Sequence, residues 1–180
     1  DADIYLPEGI SNYSHDVSAD NTLVIGIPEE DSSTGSIYIF HDDVDLLSGE
    51  FDLEETSSSD WTKVSGRNIG DEFGKYVLAI DLESDSSDEI IVSAPSAGDY
   101  GELYFYDSDF ELDGILLGES GQQIGSLFKA DTFSTSSLDI FIGPDNPSMQ
   151  SNLILPEDED LDSIATLLRF SGDTDFSGSN

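Results

Sequence analysis

Short apolar clusters separated by polar stretches set the pattern of this chain. Leu23–Ile27, Ser36–Phe40, Lys75–Ile80, Ile90-Ile91-Val92, Leu103–Tyr106 and Ile140–Gly143 are each only a few residues long. They are rich in β-branched and aromatic side chains and are bounded by Gly, Pro, Ser and Asp, which is how strands read. None is long enough to suggest an amphipathic helix. A further strand is predicted around Ile4 to Leu6. Trp61-Thr62-Lys63-Val64 and Gly114-Ile115-Leu116-Leu117 are placed to close a first and a second group of strands. The pattern predicts an all-β fold of short antiparallel strands. A Gly/Ser/Asp-rich tail, residues 171–180, is expected to be mobile.

One stretch organises the rest: Asp81 to Pro95, reading DLESDSSDEIIVSAP. Asp81, Glu83, Asp85 and Glu89 take the first, third, fifth and ninth places of a nine-residue loop. An apolar run, Ile90-Ile91-Val92, follows, and Ser93-Ala94-Pro95 closes it. Alternate residues of a tight loop can turn their oxygens inward, as a hard cation with six to eight oxygen ligands requires. The reading is a calcium loop leading into a buried strand. Acidic residues number 40 of 180, so four such positions match by chance in roughly one window in 400. The flanks therefore carry the specificity.

Upstream stands Phe73-Gly74, and downstream Ser93-Ala94-Pro95 and then Gly101-Glu102-Leu103-Tyr104-Phe105-Tyr106. This order resembles the FG-GAP repeat, the unit of the integrin α-subunit β-propeller. There a Phe-Gly pair, a D-x-D-x-D-G-x-x-D loop, an apolar strand, Gly-Ala-Pro and a Gly-x-Val-Tyr-Val-Phe strand follow one another. The resemblance implies three FG-GAP-like blades of short antiparallel strands, about residues 14–65, 69–117 and 120–170, in a partial or assembled β-propeller. It implies Ca2+ held by Asp81, Glu83, Asp85 and Glu89, with the carbonyl of Ser87 as a further ligand. Glu83 stands where the family has Asp or Asn, and Ser86 where Gly supplies a positive φ. These departures point to weak binding, about 10⁻⁴–10⁻³ M.

The other units lack that acidic set. In the first, Leu23–Pro28 and Gly35–Phe40 match the two family strands, and counting back puts Ser14, Asp16, Ser18 and Thr22 at the ligand places. One carboxylate among four predicts no metal there. In the third, Ile124-Gly125 replaces Phe-Gly, and Phe133 and Thr135 interrupt Asp131 and Asp139. A long insertion is expected from Asp145 to about Ser163, with Ala165–Phe170 as the last strand. Asp158, Asp160 and Asp162 could chelate a second cation, but a solvated acidic loop is preferred.

Lys plus Arg number 5 against Asp plus Glu 40, a net charge of −35. Nucleic acid and anionic membrane surfaces are poor partners for such a chain. Recurrent Ile, Val, Tyr and Phe clusters argue against disorder, so a folded domain adapted to concentrated salt is the better account. At 1 M salt the Debye length is about 3 Å, and clustered carboxylates hardly repel. No apolar stretch approaches a membrane span. The absence of a starting Met and of a signal-peptide pattern suggests a processed chain. Zero cysteines exclude disulfides and thiolate metal sites.

Asn12-Tyr13-Ser14 fits a glycosylation triplet, His15 reads as an exposed loop histidine, and Trp61 reads as core. No nucleophile–base set and no phosphate loop is visible, so no enzyme is expected. The resemblance implies an extracellular or cell-surface module for adhesion or assembly. Its partners would be a protein, a glycan or other copies of itself. A structural subunit of a surface layer, filament or virion is the alternative, and an accessory module of a polysaccharide-active enzyme is the third reading. A closed propeller needs four to eight blades, and three units do not supply them.

Overall fold

The computed structural model of the chain describes residues 2–18, 21–40, 49–54, 60–81, 87–118, 124–130, 139–143 and 153–156. Strand β1 (Ala2–Tyr5) opens the chain, and β2 (Ser14–Val17), β3 (Leu23–Ile27) and β4 (Ser36–Phe40) form an antiparallel meander. Strand β5 (Gly49–Asp52) leaves that sheet to pair in parallel with β1, and β6 (Trp61–Ser65) returns to its outer edge. The second four-stranded sheet repeats the serial order with β7 (Val77–Ile80), β8 (Glu89–Ala94), β9 (Glu102–Tyr106) and β10 (Leu112–Leu117). A three-stranded sheet follows from β11 (Ser126–Ala130), β12 (Asp139–Gly143) and β13 (Leu153–Pro156). The fold is thus mostly β, built on antiparallel four-stranded sheets, and among the described residues the sheets close no ring. No helix among the described residues is long and apolar enough to cross a membrane.

Two cores among the described residues explain the sequence pattern. Val24, Ile37 and Ile39 of the first sheet pack against Val77, Ala79, Ile90, Val92, Tyr104 and Tyr106 of the second, with Phe73 between them. Leu78, Ile80, Ile91, Leu103 and Phe105, the alternate residues of the second sheet, are buried as well. A strand covered on both faces reads as a continuous apolar run rather than an alternation. On the far side of the first sheet, Leu23, Ile25, Ile27, Tyr38, Phe40 and Trp61 are covered by Phe51 and Leu53, with Ile4, Leu6 and Ile10. The β1–β5 pair is therefore a cover over that face. It was not anticipated, because the Phe51-x-Leu53 alternation is brief and its partner strand lies far away in sequence.

One junction joins successive sheets, and it occurs twice. Gly35 has φ +81°, and a Cβ there would lie 1.9 Å from the Phe73 carbonyl oxygen. Phe73 N–H donates to Thr34 O (3.2 Å), and Gly66 N–H donates to Gly35 O (2.8 Å). At the next junction Gly101 has φ +83° and would set its Cβ 2.0 Å from Ile124 O. Ile124 N–H donates to Tyr100 O (2.9 Å), and Gly118 N–H to Gly101 O (2.8 Å). Ile124-Gly125 thus stands where Phe73-Gly74 stood one sheet earlier, as the sequence suggested. Phe73 is buried with its ring edge-on to Tyr104, 5.1 Å between centroids.

The helical turn Glu30–Ser33 is left-handed: Asp31, Ser32 and Ser33 have φ of 49°, 61° and 63°. Each such residue costs about 1–2 kcal/mol when it carries a Cβ. The turn is held because Ser33 O accepts the N–H groups of Gly70 (3.1 Å) and Glu72 (2.9 Å).

Two expectations are corrected. The first hairpin is no nine-residue loop: Ser14 and Asp16 belong to strand β2, and only Ser18–Thr22 connects Val17 to Leu23. Residues 145–163 are not wholly an insertion, since β13 forms within them and pairs Ile154 with Phe141. The segments Asp131–Thr135, Asp158–Asp162, Ala165–Phe170 and residues 171–180 lie outside the described residues.

Candidate metal centre

The hairpin between β7 and β8 holds the predicted ligands. Its ladder runs from Val77↔Val92 to Ile80↔Glu89. Glu89 is therefore the first residue of β8 and is 3% exposed. Asp81 and Asp88 lie one residue beyond the ends of this ladder. Side chains alternate across a strand, so Glu89 falls on the face opposite Ile90, while the Asp88 carboxylate reaches Ser18 beside the first sheet. Ser87 and Asp81 are half-buried. Glu83 and Asp85 lie outside the described residues. Among the described residues no three His, Cys, Asp or Glu side chains gather closely enough to hold a metal.

Asp88 is the residue that the alternating spacing passed over. It is buried, at 7% exposure. Its Oδ2 accepts the Ser18 hydroxyl at 2.5 Å, whereas its Oδ1 is buried with no hydrogen-bond partner. Burying half a carboxylate without a partner costs several kcal/mol unless a cation or proton compensates it. A proton or a hard cation would compensate such an atom, but the described carboxylates do not gather into a group that holds a metal. The sequence carried a signal for Asp88: it precedes Ile90 and Val92, which pack inward, by two and four residues.

The same edge is tied to the first sheet by a row of polar contacts. Ser14 Oγ donates to Gly74 O at 3.0 Å, Ala79 N–H donates to Asp16 Oδ2 at 2.9 Å, and Ser18 Oγ reaches Asp88. Thr22 N–H in turn donates to Ser18 Oγ at 3.0 Å, which fixes that hydroxyl. Ser14 and Asp16 alternate along β2 and so share one face, and Ser18 follows just past its end. The residues counted as a degenerate ion loop thus hold one sheet to the next.

The remaining candidates are structural or exposed. Trp61 is 5% exposed and packs on Phe40, centroids 6.0 Å apart, which makes it core and not a ligand platform. His15 is exposed and its ring lies beside Tyr13, centroids 6.0 Å apart. Asn12 is half-buried in the triplet whose Ser14 hydroxyl is already engaged with Gly74. Glu30 accepts both Lys63 Nζ (2.6 Å) and Tyr38 OH (2.9 Å). Burial, helped by that carboxylate, raises the Tyr38 phenol above its ordinary range. Burial likewise raises Tyr104, whose hydroxyl donates to Glu102 (2.6 Å), against the opposing Arg67 guanidinium 5.3 Å from its ring. An open cleft of about 510 Å³ lies between residues 98–102 and Leu117-Gly118. In comparisons with known proteins, no family model and no curated protein matches this chain.

Proposed function

We propose that the chain is an extracellular, non-enzymatic module of β-propeller type, stabilised by calcium and serving adhesion or surface assembly in concentrated salt. The observation that supports this best is the duplicated junction, Gly35 with Phe73 and Gly101 with Ile124. The same close contact recurs between successive sheets, which supports a repeated unit. Successive sheets stacked through one geometry are what a blade array requires. Calcium would be held by Asp81, Glu83, Asp85, Glu89 and the Ser87 carbonyl. When bound it neutralises clustered carboxylates at a sheet edge. Partners would be a protein or glycan at the cell surface, or further copies of the chain.

Calorimetry in molar KCl tests the ion: calcium heat is expected with the native chain and none with Asp85→Ala. Equal binding by the two proteins would refute the assignment. The second reading, a structural subunit of a surface layer, filament or virion, is favoured by the cover that β1 and β5 form over one outer face. A covered end suits a finite stack better than a ring closed through that face. Light scattering in molar salt separates the readings, since a subunit gives discrete oligomers or polymers.

A further inference from the structure

We propose that the cleft at the second sheet junction binds a neutral sugar residue of a glycan, with the Tyr100 ring as its stacking face and the Asp99 and Glu102 carboxylates taking its hydroxyls. The proposal rests on the module reading above and narrows its partner to a glycan, but it does not depend on the calcium hairpin.

Three observations carry it. The cleft holds about 510 Å³ and is lined wholly by described residues, within the roughly 300–1,000 Å³ of small-molecule sites. Next, the junction does not account for the side chain of Tyr100. Thr34 precedes Gly35 as Tyr100 precedes Gly101, and each gives only its carbonyl to the next sheet: Thr34 O accepts Phe73 N–H (3.2 Å) and Tyr100 O accepts Ile124 N–H (2.9 Å). Gly66 and Gly118 admit those carbonyls alike, since a Cβ on either would lie 2.3 or 2.1 Å from the oxygen. The backbone role is thus filled by threonine at one junction, whereas at the other an aromatic ring stands 36% exposed beside the 60% exposed Leu117. Finally, one acceptor is already positioned. Glu102 pairs with Leu117 across the β9–β10 ladder, and its Oε2 takes the Tyr104 hydroxyl at 2.6 Å. Its Oε1 lies 3.5 Å from where a Cβ on Gly98 would stand, so glycine leaves that oxygen open to the cleft. Asp99 is exposed on the same turn. A pyranose presents a C–H face to an aromatic ring and hydroxyls that donate to carboxylates in charge-assisted bonds. A cation is the rival occupant of a ring flanked by carboxylates. In the concentrated salt that suits a net charge of −35, charge attraction at an open cleft is screened within about 3 Å, while stacking and directional hydrogen bonds persist.

Saturation-transfer NMR in molar KCl, with the methyl glycosides of glucose, galactose and mannose as probes, tests it. At least one glycoside is expected to bind the native chain. Tyr100→Ala is expected to bind that glycoside about tenfold more weakly, the equivalent of one lost aromatic contact. Tyr100→Phe is expected to bind as the native chain does, because the ring is used and the hydroxyl is not. Glu102→Gln, which keeps an acceptor for Tyr104, is expected to bind severalfold more weakly. Tyr100→Ala is expected to melt with the native chain, since the ring is exposed, so its lost binding is not lost folding. If none of the three glycosides binds the native chain, or if Tyr100→Ala binds as the native chain does, the proposal is overturned. If tetramethylammonium chloride binds in their place and Glu102→Gln abolishes that binding, the cleft is a cation pocket and the proposal is overturned. Failure of the glycosides with calcium heat intact leaves the module reading standing. Glycoside binding by a chain that gives no calcium heat leaves this proposal standing and removes the ion.

Discussion

A single methyl group added at Gly35 tests whether the junction is what holds the sheets together. Gly35→Ala imposes two separable penalties. The first is conformational: φ is +81°, and an L side chain there costs about 1–2 kcal/mol. The second is steric. The new Cβ would sit 1.9 Å from the Phe73 carbonyl oxygen, well inside contact distance, and the obstacle is backbone rather than a movable side chain. Relief requires the 73–74 strand entry to withdraw, which loosens Phe73 N–H to Thr34 O and Gly66 N–H to Gly35 O. Two such bonds contribute about 1 kcal/mol each, so the total is about 3–4 kcal/mol. Gly9→Ala supplies the control, because its φ is +85° with nothing within 4 Å of the added atom. It should lose only the conformational part. At about 2–4 °C per kcal/mol for a chain of this size, Gly35→Ala should melt roughly 10 °C below the native chain, and Gly9→Ala a few degrees below. Gly101→Ala, with Ile124 O at 2.0 Å, should match Gly35→Ala. Thermal melts followed by circular dichroism in molar KCl read all three. Equal melting of Gly35→Ala and Gly9→Ala would refute the reasoning.

The left-handed turn predicts the opposite sign: Ser32→Gly relieves a φ of 61° and should stabilise by about 1 kcal/mol, seen as a higher melting temperature; an unchanged or lower one would count against the strain. The buried tyrosines set an alkaline limit. Burial pushes Tyr106 up to about 12 from 10.0 and raises Tyr38 and Tyr104 as well, so the unfolded chain loses these protons first. Their contribution to stability is whole below pH 10 and is lost as pH climbs through the folded values. Tyrosinate absorbance and the strand dichroism should therefore change together at high pH; full ionisation near pH 10 with the dichroism intact would contradict the burial.

The local pattern of apolar clusters was enough to place β3, β4, β6, β8, β9 and β12 to within a residue or so, because each short run declares its own burial. The order of motifs in the family resemblance also pointed to Ile124-Gly125 as the counterpart of Phe73-Gly74, and the backbone approaches Gly35 and Gly101 alike. The long-range partners were not legible. That Phe51 and Leu53 cover the first sheet depends on a parallel pairing with Ala2–Tyr5, and no adjacent residue encodes it. Counting residues back from Leu23 suggested a long first loop, but only the register of β2 on β3 shows that it spans Ser18–Thr22. The same holds at the candidate metal centre. Spacing alone pointed to the hairpin and its alternating carboxylates, whereas the buried, half-satisfied carboxylate at Asp88 comes from the sheet packed against it. Chain chemistry determines which segments become strands; which charge among many loses its water is decided by what the fold lays over it.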